Sequence, residues 1–235
     1  MLLRLSVDEL GLGLASFRAE LCRVNLQEPN RFQWGENSFM RQEIEEILFD
    51  CEWNLVYDLA ERIYAALGAT DEEDSGARQT AFEEALNEFF LVKGYSWKMK
   101  DGLIAYRGGE VFEATLKIAQ EALSQHGRET SKLEIAEALL CLSRRPAPDL
   151  TGAVQHAYAA MECAARDEVN STDTFGRILA QNPQMLPPEL VDPVKALWRY
   201  GSNNARHLVE GGAMPDREVE LVVGIAATLS TYLSR

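Results

Sequence analysis

Apolar residues recur at intervals of three and four through most of this chain, the period of helices buried along one face. Leu10, Leu14, Phe17 and Leu21 form the first such stripe, within a helical reading of residues 2–25. Ser6 and Glu9 have the spacing of a capping box at its start, while Gly11 and Gly13 interrupt the early turns. A helix over 38–47 turns Phe39, Ile44, Ile47 and Leu48 inward, after a loop over 27–35. Leu55, Leu59, Ile63 and Leu67 predict the next helix, with Gly68 as its stop. Further helices are predicted over 77–92 and 110–123. Between these two the period shortens: Tyr95–Lys100 and Leu103–Arg107 flank Asp101-Gly102, the pattern of a two-stranded hairpin closed by a tight turn. A hairpin alone is marginal in water, so its aromatic residues must pack on a helix.

Beyond Leu123, the polar stretch Ser124–Arg128 interrupts the helical period and marks the expected boundary between two parts, 1–125 and 128–235. Helices follow over 132–142 and, after Pro146 and Pro148, over 150–168, where Asp149 is placed to cap an alanine-rich segment. Shorter helices are expected over 175–181 and 190–200, separated by a proline-rich connection, and an apolar helix over 217–233 closes the chain. The pattern predicts a mostly α protein: a helical N-terminal part with one small β-hairpin near 95–107, then an all-α part.

Charge narrows the partners. The 235 residues carry a formal charge of −14, which argues against nonspecific coating of nucleic acid. The imbalance sits mostly in residues 1–125, with 12 basic and 23 acidic side chains. A local cationic site remains compatible with the second part. Four scattered cysteines, none in a CxxC pair, predict neither disulfides nor a zinc site, and a cytoplasmic setting is expected. No apolar run is long enough for a membrane span. The acidic run Asp71–Asp74 lacks the spacing of a calcium loop and reads as a solvated helix flank. No phosphate loop, dinucleotide fingerprint, metal triad or nucleophile elbow is present, so no cofactor or metal is expected.

The chemistry-bearing residues concentrate in Arg199–Gly212. His207 could exchange protons near neutrality. Arg199 and Arg206 could hold a phosphate, and Asn203 and Asn204 add neutral hydrogen-bonding groups for RNA or phosphate. The other reading of the same residues is a buried Arg–His pair that caps helix ends. Glu162, in an almost wholly apolar helix, is either the partner of Arg206 or a solvent-facing side chain. His156 reads as a packed core histidine and His126 as a linker residue. Trp97 and Arg107 of the hairpin read as closing a minor core more readily than as a ligand surface.

The run Pro146–Glu162, then Trp198–Gly201, Ala205-Arg206-His207 and Glu218–Ala227, resembles the helices of HEPN-like domains in bacterial abortive-infection proteins. Phe89-Phe90, Gly94–Trp97, Asp101-Gly102 and Tyr106–Gly108 resemble the N-terminal domain of the AbiJ type attached to such proteins. The resemblance implies a helical, commonly dimeric domain in antiphage defence, with a homodimer expected through the C-terminal helices. Many such domains are metal-independent endoribonucleases in which a histidine assists attack of a ribose 2′-hydroxyl and an arginine steadies the developing charge. His207 matches the motif histidine. Arg199 precedes it by eight positions, more than the family interval, and Arg206 adjoins it. The alternative is a non-catalytic HEPN-like module that senses a nucleotide or binds a phage or defence-system protein.

Overall fold

The computed structural model describes residues 1–30, 37–69, 74–202 and 215–234. They form two compact units, Met1–Ala105 and Tyr106–Arg235. Helices dominate both, and the only sheet among the described residues is a two-stranded hairpin. The mostly α reading with one small hairpin is therefore what the chain adopts.

The first unit begins with a π-helical turn, Arg4–Glu9, followed by α1 (Leu14–Val24), α2 (Asn37–Asp50), α3 (Trp53–Gly68) and α4 (Ser75–Val92). Ser6 caps nothing here. It is buried inside the turn and its hydroxyl donates to Leu2 O at 2.8 Å, because a wider turn beginning at Arg4 already encloses it. Phe17, Leu21, Ile44, Leu59, Ile63 and Leu67 are fully buried, as their spacing requires. Phe39 is not; it lies in the first turn of α2 and is 47% exposed. Arg18 of α1 pairs with Glu43 of α2 at 2.5 Å, with both side chains largely buried. Glu43 Oε1 also accepts the amide of Asn30 at 2.8 Å, so each carboxylate oxygen meets one positively polarised group.

β1 (Trp97–Lys100) and β2 (Leu103–Tyr106) flank Asp101-Gly102, both with positive φ (52° and 81°). Two successive left-handed residues match the right-handed twist of the strands, which is why Asp-Gly closes short hairpins. Met99 and Ile104 face the core, and Asn87 of α4 brackets the Met99 backbone. Its amide nitrogen donates to Met99 O at 2.8 Å and its carbonyl accepts Met99 N–H at 2.7 Å. Trp97 packs edge-on against Tyr57 of α3, ring centres 5.4 Å apart, so it closes the minor core expected of it.

The second unit contains α5 (Glu110–Gln125), α6 (Glu129–Leu142), α7 (Leu150–Val169), α8 (Phe175–Gln181), α9 (Pro188–Gly201) and α10 (Asp216–Leu233). Helix α7 is its centre, packed most extensively against α6 and α10. Ala153, Ala157, Ala160, Ala164 and Ala165 are fully buried on more than one side; their small side chains let neighbouring helices approach closely. Asp149 caps α7 as expected, accepting Gly152 N–H at 2.7 Å. Phe112, Leu116, Ala119 and Leu123 of α5 belong to this core. The division at 105/106 thus lies ahead of the polar interruption at 124–128, which only turns α5 into α6.

Candidate functional site

The site is built where α9 ends and α10 begins. Pro188 starts α9 as its first helical residue, a position where the missing N–H costs nothing. Val194, Trp198 and Gly201 form the buried face of the helix. The Trp198 ring stacks on Tyr158 of α7, centres 5.1 Å apart and planes 25° from parallel. It also meets Phe175 of α8 at 5.1 Å. The Tyr158 hydroxyl donates to Leu197 O at 2.6 Å, and burial pushes its pKa up to about 12. At Gly201 a Cβ would lie 2.2 Å from the Tyr158 ring, so the last residue of α9 must be glycine for helix and ring to meet. The C-terminal end of α9 is thereby held against the centre of the unit.

On the other side of residues 203–214, α10 begins after Pro215. The Tyr200 hydroxyl donates to Glu218 in the first turn of α10, and Glu218 raises the tyrosine pKa by stabilising its protonated form. This bond ties the two helix ends together. Arg199 and Arg217, the sequence neighbours of the bonded pair, are both exposed. Residues 203–214, with Asn203, Asn204, Arg206 and His207, lie outside the described residues. Of the predicted site, Arg199 is placed at an exposed helix end beside this segment.

Glu162 is 9% exposed rather than facing solvent. Its Oε1 meets Arg166 Nη2 at 2.7 Å, one helical turn along α7. Oε2 accepts Phe175 N–H at 3.0 Å. The carboxylate thus holds the start of α8, and with it the ring that Trp198 packs against. His156 is corrected outward: it is half-buried, with Nδ1 2.7 Å from Glu134 Oε2. Ala153, Ala157 and Ala160 fill the buried face of α7, and position 156 lies at its edge, where the polar imidazole meets Glu134 of α6. His126 is exposed at the end of α5, as a connecting residue should be.

Two groups escaped the sequence reading. Tyr200 ends the helix expected over 190–200 and Arg217 starts the one expected over 217–233, and neither carries a role in the sequence pattern. The signal available was their position at the two helix ends around the glycine-bounded polar stretch: Tyr200 is its second residue, and Arg217 follows it just after Pro215 and Asp216. Arg217 also lines an open apolar cleft of about 620 Å³ between α5 and α10, with Glu110, Glu220 and Gly224. Burial pushes the thiols of Cys22, Cys51, Cys141 and Cys163 up, away from the thiolate that a nucleophile requires. Among the described residues no group of three His, Cys, Asp or Glu could hold a metal ion.

Residues 13–121 match the family model for AbiJ N-terminal domain 4. The chain carries an AbiJ-type N-terminal domain. No curated protein and no solved structure matches the chain. The AbiJ match contains the hairpin and the aromatic residues around it, and runs on through most of α5. It therefore extends past the first compact unit into the core of the second. The AbiJ family connects the chain with abortive infection, a defence against phage. No helix of the described residues is long and apolar enough to cross a membrane.

Proposed function

We propose that this AbiJ-type protein is an antiphage effector whose C-terminal half is a HEPN-like, metal-independent endoribonuclease. His207 takes the proton of a ribose 2′-hydroxyl as its oxygen attacks the adjacent phosphate. Arg199 and Arg206 offset the charge gathering on the phosphate oxygens, and Asn203 and Asn204 hold the RNA. The bond from phosphorus to the 5′-oxygen of the next nucleotide breaks and that oxygen takes a proton from water, leaving a 2′,3′-cyclic phosphate and a 5′-hydroxyl. Two copies associate through the C-terminal helices, so that two weakly cationic sites make one groove.

The observation that supports this reading best is the Tyr200–Glu218 bond. It joins the helix ends on either side of the segment carrying the arginine, the asparagines and the histidine. A second reading is a non-catalytic HEPN-like module that recognises a nucleotide or a defence-system or phage protein. The long interval from Arg199 to His207 and the acidic N-terminal part favour it.

Purified protein incubated with total RNA and transfer RNA in excess EDTA separates the two. Cleavage to cyclic-phosphate ends that is lost in His207→Ala, and falls about 100-fold or more in Arg206→Ala or Arg199→Ala, supports the nuclease. Intact RNA with wild type and variant alike supports the interaction module. Equal cleavage by both rejects His207 as the catalytic base.

A further inference from the structure

The first unit contains a second feature that the cleavage reading leaves unused. An open cleft of about 480 Å³ lies among the N-terminal turn, α2, α3, α4 and Tyr95. Its floor is buried apolar surface from Ala60, Leu86 and Phe90. Its walls are aromatic: Trp53, Tyr57, Phe89 and Tyr95. These rings support one another. Trp53 meets Tyr57 edge-on at 5.5 Å, Tyr57 meets Phe90 at 5.6 Å, and Phe89 meets Tyr95 at 6.1 Å between centres. Trp53 is 49% and Tyr95 46% exposed, so the rim stays open while the floor is dry. A concave, apolar, largely pre-formed cleft of this size is the usual form of a binding site.

Three observations select the occupant. First, further apolar side chains are exposed on two of the helices that form the cleft: Phe49 of α2, the sequence neighbour of Leu48, is 90% exposed, and Val92 of α4, just after Phe89 and Phe90, is 75% exposed. A small molecule filling the cleft would leave that surface wet, whereas a polypeptide segment covers both. Second, exposed acids flank the aromatic wall. Asp50 and Glu52 lie on either side of the turn that leads into Trp53, and Glu88 precedes Phe89. Third, residues 1–105 hold 20 acidic and 10 basic side chains. That balance opposes a nucleic acid, whose bases could otherwise stack on such rings, and opposes an anionic lipid surface. A cation beside Trp53 gains from both the ring face and the acids.

We infer that this cleft is a docking site for a basic, amphipathic peptide segment of a protein partner, which seats an apolar side chain among Trp53, Tyr57 and Phe89. Its lysines or arginines meet Asp50 and Glu52. The site is independent of RNA cleavage, so either proposal can fail alone.

The test uses the full chain and a fluorescent synthetic helix of leucine and lysine, with its leucine–glutamate counterpart as control, read by anisotropy. The expected result is saturable binding of the basic peptide only, weakened by salt and lowered about tenfold or more by Trp53→Ala. Phe49→Ala and the charge reversal Asp50→Lys/Glu52→Lys alter exposed side chains and keep the test informative if Trp53→Ala unfolds. They are expected to weaken binding without changing the thermal melt. Absence of saturable binding overturns the inference. So does binding of the basic peptide that is indifferent to all three variants, which would be general attraction to an acidic chain. Stronger binding of single-stranded RNA or of anionic vesicles, lost in the same variants, would assign the cleft to a different class of ligand and equally overturn it.

Discussion

Tyr158 carries three demands on one ring. It stacks on Trp198, excludes any side chain at Gly201 and donates its proton to Leu197 O. Removing only the hydroxyl, by Tyr158→Phe, keeps the stack and should cost about 1 kcal/mol in urea unfolding. The pH dependence has a definite sign. Burial raises the native pKa from 10.0 to about 12, so the folded state favours the neutral phenol. The associated stability is complete below pH 10, where both states keep the proton. It is lost as pH rises from 10 toward 12, where the unfolded chain ionises first. Wild type should therefore lose stability over that range faster than Tyr158→Phe, and the gap between their melting temperatures should shrink. A gap that widens would mean that the buried ring favours the phenolate.

Among elements, the hairpin depends on more than its turn. Two strands of four residues bury too little to persist alone. Asn87 supplies to Met99 the donor and acceptor that a third strand would have supplied. Asn87→Ala leaves both Met99 backbone groups unpaired in a position 1% exposed to solvent. It should cost about 2 kcal/mol, measured by denaturant unfolding, and should speed amide exchange at Met99 more than at the helical residues of the same unit. The hairpin itself was legible in the sequence because Asp-Gly between two aromatic-rich runs is a local signal. The asparagine that anchors it was not, since a polar residue on an amphipathic helix ordinarily faces water.

At the scale of the molecule, the family match and the compact units divide the chain differently. The match reaches residue 121, while the second unit begins at Tyr106. Helix α5 belongs to both descriptions, and its buried residues are core residues of the second unit. Deleting a single buried leucine costs about 2–5 kcal/mol against a total stability of about 5–15 kcal/mol, so losing the helix should exceed what the unit can bear. A fragment of residues 106–235 is expected to melt cooperatively by circular dichroism, and one of residues 126–235 to show no cooperative transition. Matching melts for the two fragments would mean that α5 adds nothing to that core.

What the sequence by itself determined is what local physics encodes: the helices and their buried stripes, the Asp-Gly hairpin, the Asp149 cap, and the gathering of Arg199, Asn203, Asn204, Arg206 and His207 in one glycine-bounded stretch. Periodicity says which face of a helix is buried, and a cap or turn needs only its near neighbours. Tertiary structure decided the rest, because periodicity does not say against what a face is buried. It drew Glu162 inside, onto Arg166 and the Phe175 amide, and left His156 at an edge with Glu134. It enclosed Ser6, turned Phe39 outward and gave α5 to the second core. It also joined Tyr200 to Glu218 across the candidate site. Rings from three separate segments became the walls of one cleft. The contacts of Glu162 with the Phe175 amide, of His156 with Glu134 and of Tyr200 with Glu218 join residues distant in sequence, and such contacts follow from which buried faces can be filled at the same time.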